Sequence, residues 1–381
     1  MSSTYRANMT ILTSFLDYVS LVPTPTPSVS PPPNESTGSM SSPLWAILVV
    51  GLGGGLLGGT GVYFGARRSS RSLRESAEKS LGHERTRLLN ERFSTAAALL
   101  GHKEAACRLA GVHAMAGLAD DWAERRQTCI DVLCAYLRMP YYPLGPDGGI
   151  PVGDPADGQA NREVRLTVIR TIRDHLLWDT PLETSWCGYD LDFTGATFDG
   201  GDFSFARFSG GKVGFTGATF SGSEVSFRDA TFSGSEVSFR DATFSGGKLS
   251  FTSATFPSGE VSFRDATFSG CKVSFNGIFS GGKVSFYKAT FSAGELSFIG
   301  ATFSSGEVSF NGAVFSGGTV SFNGAVFSGG AVPFHSAQFC GGVVDMRDPA
   351  AWSRPPSFDD NHLTTSPAGL LLPDPLSKPK P

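Results

Sequence analysis

Three things are scarce in this chain of 381 residues: an excess of charge of one sign, histidine, and cysteines spaced for metal. Lys and Arg number 31 against 35 Asp and Glu, a net −4, so no global field favours a polyanionic partner, and no nucleic acid is expected. The six cysteines, Cys107, Cys129, Cys134, Cys187, Cys271 and Cys340, form no CxxC pair. Cys129 and Cys134 lie five apart without histidines nearby, so small buried side chains explain them better than a metal site. Of the six histidines, His102 and His113 share a helical stretch as surface or packing residues, and His335 stands alone. No Ser/His/Asp or Cys/His set, buried carboxylate pair or phosphate loop stands out. No catalytic, cofactor-binding or metal residue is assigned, no cofactor is expected, and the chain does not read as an enzyme.

What is abundant is uneven. Of 31 Phe, all but Phe15, Phe64, Phe93 and Phe358 lie between 193 and 339, so the chain is a mosaic. Residues 1–43 carry VPTPTPSVSPPPNESTGSMSSP, too polar and Pro-rich to offset chain entropy, and read as a disordered tail. Residues 44–66, LWAILVVGLGGGLLGGTGVYFGA, have no charge. Gly53, Gly55 and Gly58 match GxGxxG, but the apolar run continues where a dinucleotide fold needs an amphipathic helix. The stretch therefore predicts a transmembrane helix. Arg67, Arg68, Arg71 and Arg74 follow it and only Arg6 precedes it, which predicts a single-pass cell-membrane protein with its N-terminus outside and everything else cytoplasmic. The cysteines would then be free thiols. Gly51/Gly55, Gly55/Gly59 and Gly61/Gly65 have the spacing of a self-associating membrane helix, so a homo-oligomer is an option.

Residues 67–180 read as a small helical region. In 102–121, Ala106, Leu109, Ala110, His113 and Gly117 recur at three- and four-residue steps. In RQTCIDVLCAYLR, 126–138, the stripe is Ile130, Leu133, Cys134 and Leu137, and Pro140 stops the helix. A Gly/Pro/Asp loop leads to a further helix over 161–177. The segment RFSTAAALLGHKEAACRLAGVHAMAGLADDW…RQTCIDVLCAYLR resembles the HEAT-like stretch that precedes pentapeptide repeats in membrane-anchored bacterial proteins.

From 191 to 210 the chain reads LDFTG, ATFDG, GDFSF, ARFSG, with Phe193, Phe198, Phe203 and Phe208 five apart. Residues 221–244 then write the same twelve twice, SGSEVSFRDATF, with Phe spacings of five and seven. In V-S-F and A-T-F the outer residues share one side of a strand, so Val225, Phe227, Ala230 and Phe232 point inward while Ser226 and Thr231 point outward. Region 188–346 resembles the pentapeptide-repeat family. The resemblance implies a right-handed quadrilateral β-helix, a β-solenoid in which four repeats make one coil and Phe stacks on Phe. The fold class is thus an α+β mosaic: transmembrane helix, helical segment, solenoid.

The seven-residue steps are pentapeptides with two extra corner residues. Two twelve-residue units would make a four-sided coil of 24, as the opening four pentapeptides suggest; a flat two-sided coil of twelve is the alternative. Six to seven coils would stack to on the order of 30 Å. FNGIF, 275–279, lacks one residue and predicts a local bulge. Residues 347–381 read as a Pro-rich disordered tail in which Trp352 could fold back over the last coil. Between 203 and 344, nine Lys/Arg meet eight Asp/Glu. This balance favours a non-catalytic, membrane-tethered scaffold for an unknown cytoplasmic protein over the alternative, a DNA mimic acting on a topoisomerase or DNA-binding protein, which needs a dense acidic face.

Overall fold

A computed structural model describes residues 58–143, 155–360 and 367–373. The chain divides into two compact units, 1–76 and 77–381. The tail expected over 1–43 lies outside the described residues.

Helix α1 (Gly58–Leu100) corrects the membrane reading. Positions 44–57 of the expected span, with Gly51 and Gly55 of its Gly face, lie outside the described residues. Positions 58–66 belong to α1, which continues unbroken through Arg67, Arg68, Arg71 and Arg74 into a charged surface of pairs such as Arg87–Glu84 (2.6 Å) and Arg87–Glu91 (2.5 Å). Among the described residues no helix is long and apolar enough to cross a membrane. The cell-membrane localisation, with its outside N-terminus and cytoplasmic repeats, rested on such a helix and falls with it.

Three helices follow: α2 (Ala105–Asp121), α3 (Arg126–Arg138) and α4 (Pro155–Asp174). The α3 stripe of Ile130, Leu133, Cys134 and Leu137 is buried as expected. The α2 stripe is not. Ala106, Ala110 and His113 are exposed, while Val112, Met115, Ala116, Leu118 and Ala119 are buried. Alanine and glycine occupy every side of α2, so spacing alone leaves its rotation undetermined. Helix α4 starts six residues before position 161, because Pro155 suits a first helical turn and Asp157 complements its N-terminal dipole.

From Leu191 onward the chain winds into a parallel β-solenoid of about seven turns. Register gives the coil length directly. Val213 pairs with Val237 and Thr219 with Thr243, a period of 24. Phe227 accordingly stacks on Phe251 (5.0 Å, 6°) and meets Phe239 edge-on across the coil (6.1 Å, 87°). A twelve-residue coil would have stacked Phe227 on Phe239. Four Phe ladders fill the interior; one runs 193, 215, 239, 263, 286, 310, 334, 358.

Narrow corners follow the pattern Phe-x-y-Ala. The Ala230 amide donates to Phe227 O (3.2 Å) and Asp229, at y, has φ +55°, the signature of a type II turn. Wide corners add two residues, so the first coil, with one wide corner, advances 22 (Leu191 to Val213) and later coils 24. At FNGIF the shortening is absorbed in a narrow corner rather than in a strand bulge. Gly277 takes the alanine position and its amide donates to Phe275 O two residues back (2.8 Å), so the y residue is the one missing. That coil advances 23, Thr255 to Ile278. Register shifts occur instead at the neighbouring wide corners, after Phe268 and Phe279.

The solenoid extends past 346. Ala351–Trp352 pairs with Val326–Phe327, Phe358 stacks on Phe334 (5.0 Å), and Leu370–Leu371 pairs with Val344–Asp345. Trp352 meets Phe327 edge-on (5.1 Å, 81°) and so extends a ladder, while the described part of the Pro-rich tail forms the last coil.

Two outcomes test this account in urea melts of the full chain. Phe239→Ala should cost about 3–5 kcal/mol, as truncation of a buried ring does, against about 1 kcal/mol or less for Ser238→Ala on the outward side of the same strand. Equal losses would refute the alternation. Gly217 (φ +63°) has open space where a Cβ would stand, whereas at Gly259 (φ +83°) a Cβ would lie 2.5 Å from Ser235 O of the adjacent coil. Gly217→Ala should therefore cost only the left-handed backbone penalty of about 1–2 kcal/mol, and Gly259→Ala distinctly more.

Candidate binding surface

Most narrow corners spend a serine on themselves. Ser226 Oγ accepts the Arg228 amide (3.3 Å), Ser285 the Tyr287 amide and Ser309 the Asn311 amide. Asp192, Asp202 and Asp345 do the same as carboxylates for Thr194, Ser204 and Arg347. At wide corners the serine after Phe donates back to a Phe carbonyl of the adjacent coil, as Ser292 does to Phe268 O (3.3 Å). The outward serines are thus structural. Composition shows only a solvated face; the S-F-x spacing, with x two residues after Ser, was the available signal for their role.

The residues at x are among those that differ from coil to coil, as are those at y and the Glu or Lys of the wide corners. Along one narrow corner, successive y amides donate to the x carbonyl of the next coil: Gly217 to Arg240 O, Asp241 to Arg264 O, Asp265 to Tyr287 O, Lys288 to Asn311 O, Gly312 to His335 O. Thr216, Arg240, Arg264, Tyr287, Asn311 and His335 therefore form one continuous column. Within it the Arg264 guanidinium carbon lies 5.1 Å and Lys288 Nζ 5.4 Å from the Tyr287 ring centroid. On the other narrow corner the column is Ser204, Arg228, Thr252, Asn276, Ile299, Asn323, Arg347.

Charge on these columns is compensated locally. Arg228 pairs with Asp229 (3.2 Å), Arg240 with Asp241 (3.4 Å), Arg264 with Asp265 (3.2 Å), and Lys248 with Glu224 across coils (3.2 Å). Each pair has at least one well-exposed partner, so they contribute little to stability; their effect is to flatten the field.

The residues singled out by sequence are scattered. Cys129 and Cys134 are buried in α3 and Cys271 in a wide corner, whereas Cys340 is exposed. Burial pushes the Cys129 thiol up to about 11 and the Cys271 thiol up to about 12. Among the described residues no group of three or more His, Cys, Asp and Glu is placed to hold a metal. His113 is exposed; His102 Nδ1 accepts the Glu104 amide at the start of α2 (3.0 Å). His335 is not alone: Nδ1 lies 3.3 Å from Asp359 Oδ1 and Nε2 3.5 Å from Ser357 Oγ. The order is that of a hydrolytic triad, but the imidazole stands open to solvent and both contacts are at the long limit of hydrogen bonding.

The solenoid's first coil is covered by the helices. Arg165, buried and, among the described residues, without a carboxylate in hydrogen-bond contact, donates to Leu137 O (2.8 Å) and Thr197 O (2.7 Å), joining α3, α4 and the first coil. Asp199 Oδ2 accepts from Arg162 Nε (2.9 Å) and Tyr141 Oη (2.8 Å), and burial, reinforced by that hydrogen bond, pushes the Tyr141 phenol well up. The first strand edge is thereby closed against further pairing.

Residues 193–236 and 234–277 match the family model described as pentapeptide repeats (9 copies). Over residues 193–277 the solenoid is built of pentapeptide repeats. The match does not reach the helices, and neither the HEAT-like nor the membrane-anchored resemblance is supported. No curated protein and no solved structure matches the chain.

Thiol chemistry checks this placement. At pH 8 a maleimide should label Cys340 of the native protein, while Cys129, Cys134 and Cys271 react only after unfolding, as read by peptide mass mapping. Native labelling of Cys271 would contradict its position in the stack.

Proposed function

We propose that the pentapeptide-repeat solenoid is a non-catalytic scaffold that binds another protein through its corner columns. The observation that carries this reading is the contrast between fixed and varied positions. Inward Ala, Val and Phe and outward Ser serve the coil, and Asn311 Oδ1 accepts the His335 amide of the next coil (2.9 Å), while Arg240, Arg264 and Tyr287 do nothing the fold requires of their side-chain identity. Arg and Tyr are the residues enriched where binding energy concentrates. The general absence of catalysis among pentapeptide-repeat solenoids supports the same reading.

The competing DNA-mimic reading asks for an acidic stripe. The Arg–Asp corners and the Lys248–Glu224 pair cancel such a stripe beyond a Debye length of about 8 Å.

Two measurements separate these readings. A full chain with Arg240→Ser, Arg264→Ser and Tyr287→Thr should keep its circular dichroism and melting behaviour. It should lose the partner that the wild type crosslinks in its host and rebinds when purified. If that partner binds the triple variant undiminished, the column is not the interface. The wild-type protein in large molar excess should leave DNA gyrase supercoiling unchanged even at low ionic strength; dose-dependent inhibition would favour the mimic.

A further inference from the structure

Phe205 is the strongest departure from the repeat. It occupies y of the first coil's second narrow corner, where later coils place Asp229 and Ser253, and it has φ +64°. A bulky side chain in this left-handed region is strained. Burial does not offset the strain, since Phe205 is 58% exposed. Trp178, just beyond α4, is 80% exposed. Both rings line an open groove of about 470 Å³ between the chain after α4 and the first coil, with Leu177, Arg207 and Asp179.

The charges of the groove are asymmetric in availability. Arg173 spends its guanidinium on Asp174 (2.6 Å) and Asp202 (2.8 Å), and Asp229 is taken by Arg228. Arg207 lies with its guanidinium carbon 4.2 Å from the Trp178 ring centroid, and among the described residues no carboxylate pairs with it. An aromatic-backed guanidinium of this kind donates to a carboxylate in bidentate fashion while the uncovered ring faces take an apolar side chain. The Asp179 carboxylate in the same groove disfavours a strongly acidic occupant.

We propose that this groove docks a linear segment of a partner protein in which an apolar side chain sits beside a single carboxylate. The carboxylate pairs with Arg207, and the apolar side chain is sandwiched by Trp178 and Phe205. This deepens the scaffold reading and rests on it, adding a second contact point at the covered end of the solenoid. The strained φ at Phe205 is then retained for the ring it projects, not for the coil.

The test is a selection of phage-displayed random peptides on the immobilised full-length protein, followed by fluorescence anisotropy with the enriched sequence as a labelled synthetic peptide. An apolar or aromatic residue next to one Asp or Glu should be enriched. Trp178→Ala and Arg207→Gln should each weaken that peptide at least about tenfold, as loss of an interface anchor does. Phe205→Gly should weaken it as much yet melt at a higher temperature than wild type, because glycine relieves the positive φ. That opposite pair of shifts separates lost contact from misfolding. No enrichment, a consensus without the apolar–carboxylate pair, or equal binding by all three variants would overturn the proposal. So would a wild-type dimer in sedimentation that Trp178→Ala converts to monomer, since a second copy would then own the groove. None of these outcomes depends on Arg240, Arg264 or Tyr287, so the corner-column reading stands or falls separately.

Discussion

Parallel strands lie about 4.8 Å apart, close to the distance at which two phenyl rings stack, and the solenoid depends on that coincidence. Backbone ladders and ring ladders share one repeat, so neither strains the other: stacked centroids run from 4.5 Å at Phe251–Phe275 to 5.3 Å at Phe275–Phe298. Across a coil the rings of the two V-S-F sides meet edge-to-face, as Phe239 and Phe251 do at 86°. In these two ladders each ring between the ends therefore has stacked partners above and below and edge contacts within its layer. The fixed ring geometry sets the position of every strand, and strand position sets which corner residues reach solvent.

That dependence explains how coil length can vary without breaking the stack. Advances of 22, 24 and 23 residues all return Phe over Phe, because additions and losses are confined to corners, outside the ring layers. The 275–279 corner shows the limit. It discards y, the residue with least to do inside, and keeps the inward small residue as Gly277, whose added Cβ would collide with Ala254 O.

The repeats were legible in sequence because a period-two strand and a five-residue step admit one inward set; Val225, Phe227, Ala230 and Phe232 follow directly. The four-sided coil was legible from the first twenty residues. Less was legible where chemistry does not discriminate sides. Helix α2 is Ala- and Gly-rich all round, and its buried face turned out to be Val112, Met115 and Leu118. The last coil was hidden by proline content, although Phe358 lies 24 residues after Phe334 and could have been placed by addition. The apolar run at 44–66 pointed to a membrane because hydropathy reports the residues within a window, and the helix that carries its end continues as a charged one. The binding surface was least legible. Its residues are defined by difference between coils, and Phe205 stands out only once its φ is known.

The duplicated dodecapeptide has a consequence of its own. Residues 221–232 and 233–244 are identical, yet they form opposite walls of the solenoid, because two such units close one coil. Gaining or losing a single unit would leave every ring stacked and every corner bonded, since both halves satisfy the interior alike. It would nonetheless turn everything downstream by half a revolution, moving Tyr287 and His335 to the wall that Asn323 now occupies. The interior is blind to that half-turn, and only a partner reading the outer columns would detect it.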